Sequence, residues 1–260
     1  MPYTTINKQI DHFNTATYTG TGSNQTISNT FQSDMIWVKG RNYAYNHSIQ
    51  DAVRGFSANK VIYPNLTNVE GHYSDTGYIQ SVASNNFVVG TGTHSDDANY
   101  NDNGSTYVAW NWKANGSGSA NTDGSINSTV SVNQTAGFSI VSWTGNAVAG
   151  ATIGHGLGVK PSMIILKNRT PDTASWTIYH SSLGATKYLV MEGNNAVQTS
   201  NTRWYDAEPT NQVFTVGSSG NVTGDNSGET FVAYCFAEKT GYSKFGTYTG
   251  NGSSDGTFVY

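Results

Sequence analysis

A glycine-rich stretch at residues 154–161 has the residue types of a phosphate-binding loop. It reads GHGLGVKP, so backbone amides next to glycines and the ammonium of Lys160 could hold a phosphate group. The spacing matches neither GxGxxG nor GxxxxGK[ST], and the sequence that follows does not predict a helix whose amides would complete the site. We therefore predict a tight turn that leads into the next strand.

An acidic and amide-rich loop at residues 96–104 offers alternating oxygen ligands that could bind calcium. If the loop is read from Asp97, its sixth position is Asp102 where a calcium loop has glycine; read from Asn99, its twelfth position is Trp110 where such a loop has glutamate. The spacing favours a hairpin turn built from Asn and Asp side chains, with calcium binding as the alternative.

The other residues with catalytic or metal-binding chemistry form no recognisable constellation. The six histidines show neither HxH nor HExxH spacing, and there is no GxSxG motif and no recurring carboxylate pair. The one cysteine, Cys235, excludes an intrachain disulfide, and its place in an alternating strand indicates a small buried residue. The sequence therefore predicts a protein that is not an enzyme and that has no catalytic residue, metal or cofactor.

Aromatic residues in polar loops indicate a different chemistry, the binding of sugars. A ring can pack on the apolar face of a sugar while Asn and Asp side chains bind the hydroxyl groups. The alternative is ordinary packing at a sheet edge or a subunit interface. The candidate glycan contacts are Tyr43, Tyr45, Tyr100, Trp204 and Tyr205.

Composition and alternation predict the elements that must position these residues. Aromatic residues make up 12% of the 260 residues, charged residues also 12%, and there are 29 glycines. Because aromatic residues favour strands and glycine marks turns, we expect many short strands and few helices. Residues 107–112 alternate strictly, with Val108, Trp110 and Trp112 on one face as bulk for a core. Ala109, at the centre of the other face, would admit a closely packed neighbour.

The chain contains two copies of one plan. The apolar strand at residues 35–41 recurs at residues 163–169, where Met163, Lys167 and Arg169 each follow their counterparts by 128 residues. Other matching residues are offset by 124 to 129 residues, as expected for repeated domains with small loop insertions. The plain interpretation of the recurring cations is that they end these strands with their charges in water. These cations are Lys39, Arg41, Lys167 and Arg169.

These observations predict an all-β chain of two tandem β-sandwich, jelly-roll-like domains. The first covers residues 1–114, a Gly/Ser/Asn linker covers 115–124, and the second covers 125–244. A third occurrence of the opening strand places an incomplete third repeat at residues 245–260. That strand would open another unit of a longer chain, or pair with the preceding domain or a neighbouring subunit.

Charge and hydropathy exclude two classes of partner. The formal net charge is −4 with only 13 Lys and Arg residues, so we expect no basic face for nucleic acid. No apolar run approaches the roughly 20 residues that span a bilayer, so membrane insertion is not expected. Met1 is followed by polar residues, which do not predict a secretion signal.

Several motifs resemble the repeat domains of virion structural and tail-fibre-like proteins of tailed phages, especially marine and cyanobacterial ones. In the second unit they are GHGLGVKPSMIILKNR, WTIYHSSLGATKYL, FTVG and GETFVAYCFAEKTGYSKFGTYTGNGSSDG; in the first they are SDMIWVKGRN, DAVRG and GSTYVAWNWKA. The first unit departs from the pattern because His47 stands where Trp176 stands in the second.

The resemblance implies a virion structural protein that is assembled in the host cytoplasm. Within the virion it favours a fibre or appendage component that adheres to a host-surface glycan. It implies other virion proteins as partners and a homo-oligomer, with a trimer expected by analogy with fibre proteins. The sequence itself shows no coiled-coil heptads. The alternatives are a capsid or neck decoration protein without receptor binding, and a secreted carbohydrate-binding module.

Overall fold

The computed structural model describes residues 4–94 and 99–258 and consists mainly of antiparallel strands. Strands take up 35% of the chain and helices 4%, so the expected all-β, sandwich-type fold is confirmed. Two 3-10 helices are short, Gln9–Asp11 and Ala58–Lys60. The first strands are β1 (Phe13–Thr19), β2 (Gln25–Ser28), β3 (Met35–Gly40), β4 (Ser48–Asp51), β5 (Tyr78–Ala83), β6 (Asn86–Gly90) and β7 (Thr106–Trp112).

The later elements include the single α-helix of the described residues, one turn long. They are β8 (Ser119–Asn121), β9 (Ser128–Asn133), β10 (Phe138–Thr144), β11 (Thr152–Gly154), β12 (Met163–Asn168), β13 (Thr177–His180), β14 (Lys187–Val190), β15 (Gln198–Thr199), α1 (Asn201–Trp204), β16 (Val213–Thr215) and β17 (Thr230–Phe236).

The strands up to β7, which we call the first unit, form two sheets that face each other. One sheet has the order β1-β7-β3-β4 and the other the order β2-β6-β5. Their facing sides bury an apolar core that includes Ile36, Phe87, Tyr100 and Ala109. The small side chain of Ala109 therefore lies inside the sandwich, where it allows the opposite sheet to approach closely.

The strands from β8 onward, which we call the second unit, form a larger sheet with the order β15-β14-β13-β12-β17-β10-β9-β8. A two-stranded sheet, β11-β16, covers one side of it. The core on that side includes Val141, Trp143, Phe214, Phe231 and Ala233. The strand β8 lies within residues 115–124, the expected linker, and pairs with β9. That segment therefore contributes an edge strand to the sheet of the second unit.

The bulky faces of the central strands meet each other, and we call this contact the inter-unit interface. A third apolar cluster joins Met35 and Ile49 of the first unit to Ile165, Trp176 and Tyr234 of the second. The four-stranded sheet is thus covered on both sides. The sequence pattern assigned the bulky side chains of β7 to a core, and the structure places Trp112 in the core between the units. Val108 and Trp110 are only half-buried and belong to none of the three apolar clusters. The alanine faces line the interiors of the two sandwiches.

The strand expected at residues 245–260 is absent from the described part of that segment. Residues 245–258 belong to no sheet, and residues 246–258, which we call the C-terminal tail, are all exposed. The hydroxyl of Thr257 donates to the carbonyl of Thr249 at 2.7 Å, so the tail bends back on itself. A strand needs a neighbour to satisfy its backbone groups, and no described strand pairs with the tail.

Candidate functional site

Four tyrosine rings of the first unit form a stack that ends at the protein surface. Tyr18 and Tyr107 face each other across β1 and β7 with ring centroids 5.1 Å apart. Tyr45 follows at 6.4 Å from Tyr107, and Tyr43 follows at 5.3 Å from Tyr45. The interplanar angles are between 14° and 29°. We call this set the tyrosine stack.

Hydrogen bonds around Asp102 fix the inner part of the tyrosine stack. The hydroxyl of Tyr45 donates to Oδ2 of Asp102 at 2.8 Å, and the amide of Asp102 donates to the hydroxyl of Tyr107 at 2.9 Å. Burial and the bond to Asp102 raise the pKa of Tyr45, so its phenol stays protonated as the donor. A Cβ atom on Gly40 would lie 2.8 Å from the ring of Tyr45, which explains the glycine at the end of β3.

The outermost ring, that of Tyr43, has solvent on its open side and is 57% exposed. The neighbouring residues Arg41 and Asn42 are also exposed. The ammonium of Lys39 donates to the carbonyl of Tyr43 at 3.1 Å and to that of Gly40 at 2.7 Å, which ties the loop to the end of β3. The result is a flat apolar surface held in place from behind and bordered by polar groups.

Two of the five candidate glycan contacts are core residues. Tyr100 is 0% exposed, and its hydroxyl donates to the side chain of Gln50. Trp204 is 1% exposed and meets the ring of Tyr179 edge to face. Neither ring can stack on a sugar, so both leave the candidate set. The polar neighbours that suggested a loop form hydrogen bonds within the protein. For example, Oδ1 of Asn101 accepts a hydrogen bond from the amide of Thr21.

Tyr205, in the second unit, is 53% exposed and lies apart from the tyrosine stack. It follows α1 in the left-handed region at φ 57°, and Asp206 follows at φ 53°. The ring of Tyr205 lies against Gly150. The loop before Gly150 contains Ala147, which also has a left-handed backbone, at φ 57°. The structure therefore brings Tyr43 and Tyr45 together and leaves Tyr205 as a separate exposed ring on a strained turn.

A buried ionic network crosses the inter-unit interface. The guanidinium of Arg54 contacts Oδ2 of Asp51 at 2.6 Å and Oε1 of Glu70 at 2.7 Å. The hydroxyl of Tyr234, in the second unit, donates to the same Asp51 oxygen at 2.7 Å. Arg169, also in the second unit, binds the other oxygen of Glu70. These partners pair the buried charges away from water, although Nε of Arg169 has no hydrogen-bond partner among the described residues.

The expectation that Lys167 and Arg169 end their strand in water is wrong. Lys167 is 0% exposed, and its ammonium donates to the carbonyl of Thr67 at 2.7 Å across the interface. Burial lowers the pKa of Lys167 to about 8. The segment around Glu70 covers the end of β12. In the first unit Arg41, the counterpart of Arg169, is exposed. Repetition in the sequence does not reveal which copy is covered.

An apolar cavity of about 470 Å³ lies at the margin of the interface. Its walls include Trp37, Trp112 and Phe236, and Phe245 and Tyr242 border it where the chain leaves the second unit. The lining contains no Asp, Glu, His, Lys or Arg side chain. Such a cavity can hold an apolar group.

A protein-family profile described as "Domain of unknown function (DUF7483)" matches residues 8–260. The chain belongs to this family. No curated protein and no solved structure matches the chain. The DUF7483 match spans both units and the tail, so the tyrosine stack and the inter-unit interface both lie within the domain that the family shares.

The described residues of this DUF7483 domain form neither a metal-binding cluster nor a membrane-spanning helix. Within residues 4–94 and 99–258, no group of three or more His, Cys, Asp and Glu side chains could hold a metal ion. Asp96 and Asp97 of the acidic loop lie outside the described residues. No helix in the described ranges has the length and hydropathy needed to cross a membrane.

The glycine-rich turn of the DUF7483 domain encloses a neutral histidine. His155 is 0% exposed, and its Nδ1 accepts the amide of Leu157 at 3.2 Å. Its Nε2 lies 3.2 Å from the carbonyl of Thr210, which fits a neutral ring with the proton on Nε2. Burial lowers the pKa of His155 to about 4, against smaller raising effects of Thr210 and Asp123. Protonation would set an N–H of the ring against the amide of Leu157.

We expect this histidine to make the protein sensitive to acid. Its ordinary pKa is 6.5, so between that pH and about pH 4 the unfolded chain binds a proton that the folded chain does not. Stability therefore falls as the pH falls, by about 3 kcal/mol from this group. Urea unfolding across this range should show that the stability advantage of the wild type over His155→Gln shrinks by this amount. A parallel loss of stability in both proteins would contradict the prediction.

Proposed function

We propose that the chain is a structural protein of a tailed-phage particle, part of a fibre or appendage, that adheres to host-surface glycans through the ring of Tyr43. The observation that carries the proposed adhesion is the tyrosine stack, which presents one exposed aromatic face on a rigid base. The resemblance to phage repeat domains supports the proposal that this chain is part of the virion. The adhesion proposal and the virion proposal are tested separately below.

The geometry favours sugar binding over simple packing at Tyr43. Tyr43 is 57% exposed, and the open face of its ring makes no packing contact that would stabilise the fold. Since the backing ring of Tyr45 holds it in place, binding loses little conformational entropy at this ring. Arg41 and Asn42 stand beside the ring with exposed side chains, and such groups can donate to sugar hydroxyls or to the carboxylate of an acidic sugar.

The adhesion proposal predicts that Tyr43→Ala weakens glycan binding. A central aromatic contact costs about 2 kcal/mol when truncated, which corresponds to roughly 30-fold in Kd. A glycan array that includes neutral and acidic sugars would identify the ligand, and titration calorimetry would then give Kd for each variant. Tyr43→Trp keeps an aromatic face and should retain binding.

Tyr205→Ala is the matched control, because Tyr205 is exposed to a similar degree, 53%, in the other unit. It should leave the glycan affinity unchanged. Loss of affinity in Tyr205→Ala but not in Tyr43→Ala would move the site to the second unit and refute the role of Tyr43. Absence of binding to any glycan by the wild type would refute adhesion.

Electron microscopy of phage particles with a labelled antibody against this chain tests the virion proposal. Label on fibres or appendages is the expected result. Label on the capsid or neck, together with the absence of glycan binding, would instead support a decoration role. Absence of the chain from purified particles would refute the virion proposal.

A further inference from the structure

The strand β1 leaves one edge of the four-stranded sheet open. The amide of Lys113 donates to the carbonyl of His12, and the amide of Gly20 donates to the carbonyl of Ser105. Because backbone direction alternates along a strand, the backbone groups of the even-numbered residues of β1 face β7. The backbone groups of Thr15 and Thr17 therefore point away from the sheet. No other described residue binds them, and the side chains of both threonines are exposed.

The edge of β1 also lacks the features that usually prevent strand addition. It contains no charged residue and no proline, and its pairing with β7 is regular over seven residues. Edge strands of monomeric proteins are normally protected by a charge, a proline, a bulge or a covering segment. The carbonyl of Thr19, at the end of β1, accepts the side-chain amide of Gln25 at 3.1 Å, so the edge is open along Thr15 and Thr17. An uncharged edge of this kind is suited to accept another strand.

The second unit shows what belongs on this edge. Its strand β10 starts with Phe138 opposite the last residue of β17, as β1 starts with Phe13 opposite the last residue of β7. The outer edge of β10 is covered by β9, which pairs with it in antiparallel orientation, and β9 is covered by β8. The first unit has no described counterpart of β9.

The C-terminal tail, with Phe245 before it, supplies a segment with the character of a missing strand. Residues 245–250 read FGTYTG and carry no charge. Tyr248 is 70% exposed and Phe258 is 77% exposed, the highest values for large apolar side chains in the described residues. The chain therefore contains both an open edge and, at residues 245–250, a segment that belongs to no sheet and could fill that edge.

We propose that residues 245–249 of a second copy of this chain pair with β1 in antiparallel orientation, as β9 pairs with β10. Pairing within one chain is disfavoured by where the tail begins. Tyr242 contacts His12, just before β1, with ring centroids 6.2 Å apart. A tail that starts there and follows its own β1 would run parallel to it, whereas a tail from a second copy can enter from the other end.

Two proline variants test the proposal. Thr17→Pro removes an outward amide of β1 without breaking a bond to β7, and Thr247→Pro removes an amide in the tail. Light scattering should show that the wild type self-associates and that each variant associates at least tenfold more weakly. The matched controls Thr17→Ala and Thr247→Ala keep the amides and should associate like the wild type. Circular dichroism and Tm confirm that all variants remain folded.

A mixture of the two proline variants gives the decisive result. Thr17→Pro keeps an intact tail and Thr247→Pro keeps an intact β1, so the mixture should form one-to-one dimers although each variant alone associates at least tenfold more weakly than the wild type. A monomeric wild type overturns the proposal, as does unchanged association of either proline variant. Failure of the mixture to form dimers overturns it as well, since the tail and β1 would then not be partners.

Discussion

Replacement of Arg54 by alanine is expected to lower the free energy of unfolding by about 3–5 kcal/mol. The Arg54 side chain is 1% exposed and contacts Asp51, which is 0% exposed, and Glu70, which is 11% exposed. Removal of the cation leaves the Asp51 carboxylate buried without its counter-charge, since the hydroxyl of Tyr234 is a neutral donor. Urea unfolding followed by circular dichroism measures this loss.

Lys60→Ala is the matched control for the ionic network. Lys60 pairs with the same Glu70 at 3.7 Å, but its side chain is 40% exposed. Pairs of this kind contribute at most about 1 kcal/mol, so the control should remain close to the wild type. If the two variants lost equal stability, the buried network would have no special role in the interface.

The alternating pattern of the central strands revealed their two faces but not the layer each face enters. In β7 the sequence identified Ala109 as a small side chain opposite bulky neighbours, and Ala233 has the corresponding place in β17. A sheet with apolar residues on both faces can pack on both sides, and alternation alone does not show which side holds its own sandwich. The bulky faces bind the other unit because their large rings fill the interface, as Trp112 and Phe236 do at 6.4 Å.

The burial of Lys167 and Arg169 could not be predicted from the strand that contains them. Both cations are covered by residues of the first unit that precede them by about a hundred positions, such as Thr67 and Glu70. No local pattern encodes such a long-range contact. One signal was available in retrospect: Trp176 in the second unit replaces His47 of the first, so the two loops were not equivalent.

The exposure of the candidate residues was predicted in part. The expectation that aromatic residues in polar loops are exposed holds for Tyr43 and Tyr205 and fails for Tyr100 and Trp204, because polar neighbours can bind the protein as well as solvent. Tyr18 and Tyr107, which support the tyrosine stack, were not among the candidates. Their opposition in the strand register shows their contact, but register requires knowledge of which strands pair.

Trp176 joins the apolar and polar parts of the interface. Its indole N–H donates to the carbonyl of Tyr63 at 2.9 Å and to that of Leu66 at 3.2 Å, both in the first unit. The ammonium of Lys167 lies 6.0 Å from its ring centroid. One side chain of the second unit therefore satisfies backbone groups of the first while it fills the apolar contact.

Trp176→Ala is accordingly expected to lower the free energy of unfolding by about 3–5 kcal/mol. The ring is 0% exposed, so its loss removes buried apolar area and leaves a cavity between the sheets. Trp176→Phe keeps much of the ring but removes the indole donor. The carbonyl of Leu66 then loses its donor, whereas that of Tyr63 keeps the amide of Leu66, and the expected cost is about 1–3 kcal/mol. Urea unfolding of both variants should place phenylalanine between wild type and alanine. Equal losses would mean that the ring itself contributes little to the interface, and a loss for alanine under about 1 kcal/mol would mean that the units are held together elsewhere.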